Sequence, residues 1–359
     1  MKNKIIYIFF LCCFFSCTTD IQLPVSYIGD DVLSHSSQCE VKVMDVNDSI
    51  YSGSNDFFVY NDSILIITKK NPTDGYFIEV RRLENKEILA QFFHKGNGHS
   101  ELLSANVDMN KNILFVNDYV KSKFSFINID SVITNKDYQC ILRSKKMTLS
   151  PTVVPYYNNY LIENPYCYCD SNINVYQGIE QGVPRFWVIE DGKENDEKDD
   201  YEFNPRSVAV DGRIACDLKN KNFVYAHFGR SIVEFYDSTL TLKKMLKGPK
   251  NMNVTYGSYD NNGNKQKQII YKSRVPYSYL GYCCDDDYVY LTYIGDFFVN
   301  DSDIQKMTTY ILKFDWDGNF QKSYHIGTYL SSISKGKEMD TFYATTINQN
   351  GERILIKIN

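Results

Sequence analysis

Histidines, acidic clusters and glycine-rich turns are the places where this sequence could do chemistry. Five histidines, at 35, 94, 99, 227 and 325, include no His-x3-His pair that would bring two imidazoles to one metal. Asp285-Asp286-Asp287 and the acidic run Glu194 to Asp200 offer the several oxygens that Ca2+ takes. Neither follows the Asp-x-Asp-x-Asp-Gly loop, so both read as solvated turns. Gly96-Asn97-Gly98 is flanked by strand-like stretches, whereas a phosphate cradle needs a helix N-terminus or a Gly-Lys-Ser/Thr sequence. It reads as a tight turn. No Gly-x-Ser-x-Gly nucleophile elbow occurs. The sequence therefore points to no catalytic set, no metal and no cofactor. What remains is a set of loop residues, His99, Glu101, Tyr166, Tyr168, Arg206, Arg230, Arg274 and Tyr277. Tyrosine rings and guanidinium groups can stack on and hydrogen-bond sugar rings or peptides.

The elements that would carry those loops repeat along the chain. Val107 to Val116 reads as a strand, a polar turn and a second apolar strand. The pattern occurs first at Phe57 to Tyr60 with Ile64 to Ile67. It returns at Val153 to Tyr157 with Tyr160 to Ile162, and at Val208 through Cys216 with Phe223 to Ala226. It closes with Tyr279 to Cys284 paired to Tyr288 to Leu291, and Phe342 to Ile347 paired to Ile354 to Ile358. Third and fourth strands follow most copies, because a lone hairpin cannot bury its faces. Asp317-Gly318 is a strong hairpin signal, since Asp-Gly tolerates the positive φ of a tight turn. The first copies begin near residues 57, 103 and 152, the spacing of four-stranded propeller blades.

Two longer gaps, Asn164 to Pro184 and Pro249 to Pro276, read as inserted loops. The last copy lacks two strands, while Glu40 to Val46 alternates without a partner. Pairing one with the other removes exposed edges. The expectation is an all-β, six-bladed β-propeller of four-stranded blades, its ring closed by an N-terminal strand. A β-solenoid or paired sandwiches are the competing architectures. In a propeller, ligands bind where the interblade loops and the loops from second to third strands converge over the channel.

The start of the chain sets the compartment. Lys2 and Lys4 precede an apolar run from Ile5 to Phe15, too short to span a bilayer, which marks an export signal. It ends at Ser16-Cys17, which resembles the lipobox of bacterial lipoproteins, where the cysteine is lipidated and becomes the first residue. A plain secretory signal or a signal anchor is the alternative. The expected division is residues 1–16 as signal peptide, 17–27 as lipidated Cys17 and tether, and 28–359 as propeller. Export leaves Cys39, Cys140, Cys167, Cys169, Cys216, Cys283 and Cys284 of the ten cysteines, an odd set that cannot all pair. Adjacent Cys283 and Cys284 face opposite sides of a strand, and buried free thiols are the expected state, with a disulfide through Cys167 or Cys169 open in an oxidising compartment. The formal net charge of -5 over 359 residues, with both signs interspersed, lacks the basic footprint of a nucleic-acid binder.

A lipoprotein signal, six repeats, and Lys95-Gly96-Asn97-Gly98-His99-Ser100-Glu101 between the first two together resemble the TolB-like six-bladed propeller lipoproteins of gut Bacteroidota. Members often carry Gly-x-Gly-Pro-Gly-Glu at that turn. This chain keeps Gly96, Gly98 and Glu101 but has His99 and Ser100 in place of Pro-Gly. The resemblance implies fold and membrane anchoring, not an activity. The expected function is a non-catalytic binding or scaffold module for a glycan, peptide or envelope protein partner. Its expected place is a lipid anchor on the outer membrane, on the periplasmic face or at the cell surface. The alternative is a channel enzyme, a glycan- or lactone-active hydrolase or lyase with or without a divalent cation. Three or more carboxylate or Asn side chains converging in the channel would favour the enzyme.

Overall fold

The computed structural model describes residues 25–359, leaving out 45–55, 136–140, 147–152, 157–159, 164–174, 178–183, 191–211, 253–255, 261–266, 272–274, 299–303 and some single or paired turn residues. Its strands form six sheets of four or five strands and one separate hairpin. The first five innermost strands are Asp56–Tyr60, Asn106–Asn110, Val153–Tyr156, Gly212–Cys216 and Val275–Cys284. The sixth is Ser332–Lys335. Each sheet steps outward from these by antiparallel pairing, save that the outermost strands of the fourth and fifth pair parallel, and innermost strands of neighbouring sheets adjoin one another around a common axis. This arrangement is a β-propeller.

The sequence dictates this packing by making both faces of a sheet apolar, as the first sheet shows. Phe57, Val59, Leu65 and Ile67 cover one face of the first sheet and meet Tyr343 and Leu355 of the sixth. Phe58, Ile64 and Ile66 cover the other and meet Met109, Leu114 and Val116 of the second. Cys283 and Cys284 divide in the expected way, Cys283 into the seam between the fifth and sixth sheets and Cys284 into the seam with the fourth. Both thiols are buried and free, as is Cys216. Burial pushes the Cys284 thiol up to about 12, which suits inert core sulfur.

The seam between the sixth and first sheets is stitched by hydroxyls. Thr345 Oγ1 accepts the Phe57 amide at 2.9 Å and bonds Ser332 Oγ at 2.6 Å. Ser332 Oγ donates to the Phe57 carbonyl at 2.9 Å, and Ser334 Oγ accepts the Val59 amide at 2.9 Å. All three side chains are buried.

The structure corrects the assignment of the last repeat. Its hairpin, Phe342–Ile347 with Arg353–Ile358, supplies the second and third strands of the sixth sheet, because Ser332–Lys335 lies inside it. The last sheet therefore lacks one strand of its own rather than two, and Val41–Val43 pairs antiparallel to Arg353–Ile358 in that outer position. The two gaps read as loops also carry strands. Val175–Gln177 forms the outer strand of the third sheet, and Tyr256–Asp260 with Lys267–Tyr271 forms the separate hairpin. The stretch read as tether ends in a strand too, since Val25–Tyr27 pairs parallel to Leu242–Lys247 on the outside of the fourth sheet.

Replacing Thr345 with Val preserves shape but removes the hydroxyl that accepts the Phe57 amide and bonds Ser332 Oγ, which costs about 1–3 kcal/mol. Urea unfolding of Thr345→Val is expected to show that loss with an unchanged m-value.

Candidate functional site

The innermost strands begin at one end of the axis, the entry end, where links between sheets and between second and third strands also gather. Alternation along Asn106–Asn110 puts Val107 and Met109 into the seam with the first sheet and turns Asp108 and Asn110 the other way. Asn110 is fully buried. Its Nδ2 donates to the Cys216 carbonyl at 3.0 Å and its Oδ1 accepts from Cys284 Sγ at 2.9 Å. One side chain of the second sheet thus ties the fourth and fifth sheets together across the axis.

Above this knot lies a belt of charge. Arg353 Nη1 pairs with Asp56 Oδ1, which also accepts from Ser331 Oγ at 3.1 Å. Asp108 and Arg213 belong to the same belt but do not pair. Among the described residues, Asp108 accepts only the Met109 amide, at 2.9 Å. The Arg213 guanidinium donates only through Nε to the Leu280 carbonyl, at 3.1 Å. Each lies within electrostatic reach of the other. Both are half-buried. Desolvation raises the Asp108 carboxyl to about 6, against the opposing pull of Arg213. Tyr282 is buried among the same groups, and its hydroxyl has no hydrogen-bond partner among the described residues.

An aromatic mouth stands at the entry end. Tyr277 stacks on Phe298 with centroids 5.2 Å apart and an interplanar angle of 10°. It also meets Phe228 edge-on at 4.9 Å. Tyr329 packs with this group around Leu280, Ile294 and Met307. Burial, with Tyr277 beside it, pushes its phenol up to about 12. At the opposite end of the axis a cavity of about 360 Å3 is lined by Tyr60, Lys111, Cys284, Asp285, Lys335 and Lys337, among others. Its charges are largely spent within the protein. Lys111 pairs with Asp286 at 2.6 Å, and Lys335 bonds the Gly336 carbonyl at 2.8 Å. Asp285 accepts the Asp287 and Tyr288 amides and the Tyr290 hydroxyl, so the Asp triplet is a turn.

Of the loop residues singled out in the sequence, Tyr277 lies in the aromatic mouth, and Arg230 lies half-buried between the second and third strands of the fourth sheet. Glu101 serves its own turn. Its carboxylate accepts the Gly98 amide at 2.6 Å, and a Cβ at Gly96 would strike that carboxylate at 2.1 Å. Lys121 holds the same turn through the Gly96, Gly98 and Glu101 carbonyls. Cys17, His99, Tyr166, Tyr168, Arg206 and Arg274 lie outside the described residues. The residues missed are Asp56, Asp108, Arg213, Tyr329 and Arg353. Asp56, Asp108 and Asn110 meet in number the convergence that would favour an enzyme, yet Asp56 is paired and Asn110 is saturated. One carboxylate is open. Among the described residues no group of three or more His, Cys, Asp or Glu side chains could hold a metal ion.

Asp108 holds its proton to higher pH when folded than when unfolded, so its ionisation opposes folding. That cost is absent below the unfolded carboxylate value near 4 and complete above about pH 6. Asp108→Asn is expected to melt roughly 2–4 °C higher than the parent at pH 7.5. The difference should vanish on acidification to pH 4, which paired thermal melts would read.

No family model matches the sequence, and no curated protein matches it. Among solved structures the chain is similar to a member of the DUF4221 family from Bacteroides vulgatus. That likeness has a TM-score of 0.52 and 11% identity, over 90% of this chain and 97% of the other. A protein of Bacteroides fragilis described as exported is similar at a TM-score of 0.45 and 12% identity, over 94% and 99% of the two chains. The β-propeller domain of Myceliophteria thermophila Cps50 (Swd1) is similar at 0.43 and 10%, over 88% and 99%. At such identities the likeness is one of fold, and the chain is an all-β protein with the β-propeller fold.

Proposed function

We propose that this chain is an exported, lipid-anchored propeller of six blades that binds a ligand at the entry end of its channel. On this reading it is a binding or scaffold module for a glycan, peptide or envelope protein, held on the outer membrane at its periplasmic face or at the cell surface. Six sheets about one axis support the blade count. The pairing of Val41–Val43 with the third strand of the last sheet supports closure of the ring by the N-terminal strand. The charged start, short apolar run and Ser16-Cys17 support export and lipidation. The observation that carries ligand binding is the open pair of Asp108 and Arg213 beneath the aromatic mouth. Among the described residues neither group is paired through its remaining polar atoms, which leaves those atoms to a ligand or to solvent.

The same observation supports a second reading. A half-buried carboxyl raised to about 6 is poised for general acid or base work near neutral pH. Hydrolytic chemistry on a glycan uses two carboxyl groups, and here the second, Asp56, is held by Arg353. Binding is therefore the primary reading.

Two measurements test the proposal. Metabolic labelling with palmitate is expected to mark the parent protein and not Cys17→Ala; label persisting on the variant removes the anchor. Glycan and peptide arrays probed with the chain beginning after Cys17, alongside metal analysis, are expected to yield a ligand without turnover. Metal at stoichiometry together with product release would replace the binding module by the enzyme.

A further inference from the structure

The third and fourth strands of the second sheet, Lys123–Asn128 and Ile141–Lys146, contain Lys123, Arg143, Lys145 and Lys146 and no acidic residue, in a chain whose formal net charge is -5. Their antiparallel register sets Lys123 directly opposite Lys146, and Phe124 opposite Lys145. Directly opposed residues stand roughly 5 Å apart at Cβ, where like charges destabilise the pair. Lys121 adds a further cation in the turn before the third strand, its ammonium held by the Gly96, Gly98 and Glu101 carbonyls. On its other side Lys123 faces Asp118. That carboxylate is fully buried and already accepts the Leu103, Val120 and Lys121 amides and the Ser104 hydroxyl. Burial, with Lys121 beside it, holds the Lys123 ammonium below its usual range in spite of Asp118.

Lysines on an outer strand also keep sheet edges from pairing with other chains, and the fourth and fifth sheets show how such lysines are answered at home. In the fourth sheet the outer strand Leu242–Lys247 carries Lys243, paired with Asp317, and Lys244, bonded to Asn319 at 3.1 Å. Val25–Tyr27 then covers that edge. In the fifth, Lys322 pairs with Asp340 at 3.2 Å, and Ser37–Gln38 lies alongside. The second sheet differs on both counts. Ile141–Lys146 is its outermost strand, and the register brings lysine to lysine. The cations also gather at the entry end, since Lys123 begins the third strand and Lys146 ends the fourth. Single exposed ion pairs are weak, so a lone small anion gains little there. A polymer that supplies several anionic groups at once gains from all of them.

We propose that the outer edge of the second sheet, at its entry end, is a docking surface for an acidic polysaccharide, whose carboxylate or sulfate groups lie along Lys123, Lys145 and Lys146. The surface is on the rim of the ring, so it goes beyond ligand binding in the channel. A bilayer fits it less well. On the lipid-anchored reading the tether leaves from the fourth sheet, with the third sheet between it and this edge.

Surface plasmon resonance of the exported protein, N-terminal segment included, tests the proposal over immobilised heparin, dextran sulfate and polygalacturonate. Comparators are neutral dextran and phosphatidylcholine vesicles doped with phosphatidylglycerol. At least one acidic polymer is expected to bind and neutral dextran is not, with affinity falling at least tenfold between about 50 and about 300 mM salt. Lys123→Gln combined with Lys145→Gln and Lys146→Gln should weaken binding at least tenfold while melting cooperatively, and the same three positions changed to Arg should retain it. Lys243→Gln with Lys244→Gln, on the fourth sheet, should leave affinity unchanged. Silence across the three acidic polymers overturns the proposal, as does equal binding of neutral dextran, equal loss from the two sets of Gln variants, or tighter binding to the vesicles than to any acidic polymer. A channel ligand found on the arrays should ignore the rim variants, so the two readings fail separately.

Discussion

A sheet with two apolar faces has no stable solution alone, and the neighbouring sheets on either side supply one. Every seam described here is built on that constraint. One joins the fourth and fifth sheets through Val224, Val233, Phe235, Leu291, Phe314 and Trp316. Burial of such side chains contributes on the order of 1.5–3 kcal/mol each, so the seams dominate the favourable terms. Polar side chains also enter the sheets in pairs, as buried His227 does with Glu234 at 3.1 Å.

At the axis, innermost strands bring polar side chains together. The protein resolves the resulting conflict in three ways. Asn110 saturates its amide against a carbonyl and a thiol of two other sheets. Asp56 and Arg353 pair. Asp108 and Arg213 stay open to the channel, and desolvation makes the carboxylate costly in the form it holds at neutral pH. A residue kept at the expense of stability is one that function has reason to keep.

Five of the inner hairpins were legible because both strands carry apolar residues in alternation or in a run. The sixth inner strand, Ser332-Ile333-Ser334-Lys335, was not, because its buried contacts are made by hydroxyls. Hydropathy reads Ser332 and Ser334 as surface, while their bonds to Phe57 and Val59 lie across the closing seam. The site was less legible still. Tyr277 lies at the entry end, in the aromatic mouth, but attention to loops passed over Asp108, which sits inside the hairpin Val107 to Val116. A single polar residue at mid-strand carries no sign of the neighbours it will meet. Arg213 stands more than a hundred residues away in sequence, and only the ring brings it into the same belt.

The N-terminal segment acts on the outside of the ring as the inner strands act on the axis. Val25–Tyr27 lies on the fourth sheet, Ser37–Gln38 on the fifth and Val41–Val43 on the sixth. Between the first two, Val32 and Leu33 pack on the seam of the fourth and fifth sheets. Ser36 Oγ reaches Ser323 Oγ at 2.9 Å. Unpaired outer edges invite pairing with other chains, and this strap covers three in succession. On the lipid-anchored reading, residues 18–24 would extend at most roughly 25 Å. Pull on the anchor would then fall first on the short parallel pairing of Val25–Tyr27, which is held in register by three residue pairs and the Ile28 amide on the Lys247 carbonyl at 2.8 Å. Loss of that strand would bare the edge of the fourth sheet while leaving Val41–Val43 on the sixth. On that reading the strap and the pairing of Val41–Val43 are separable in strength, and the strand nearest the anchor is the one that can be given up first.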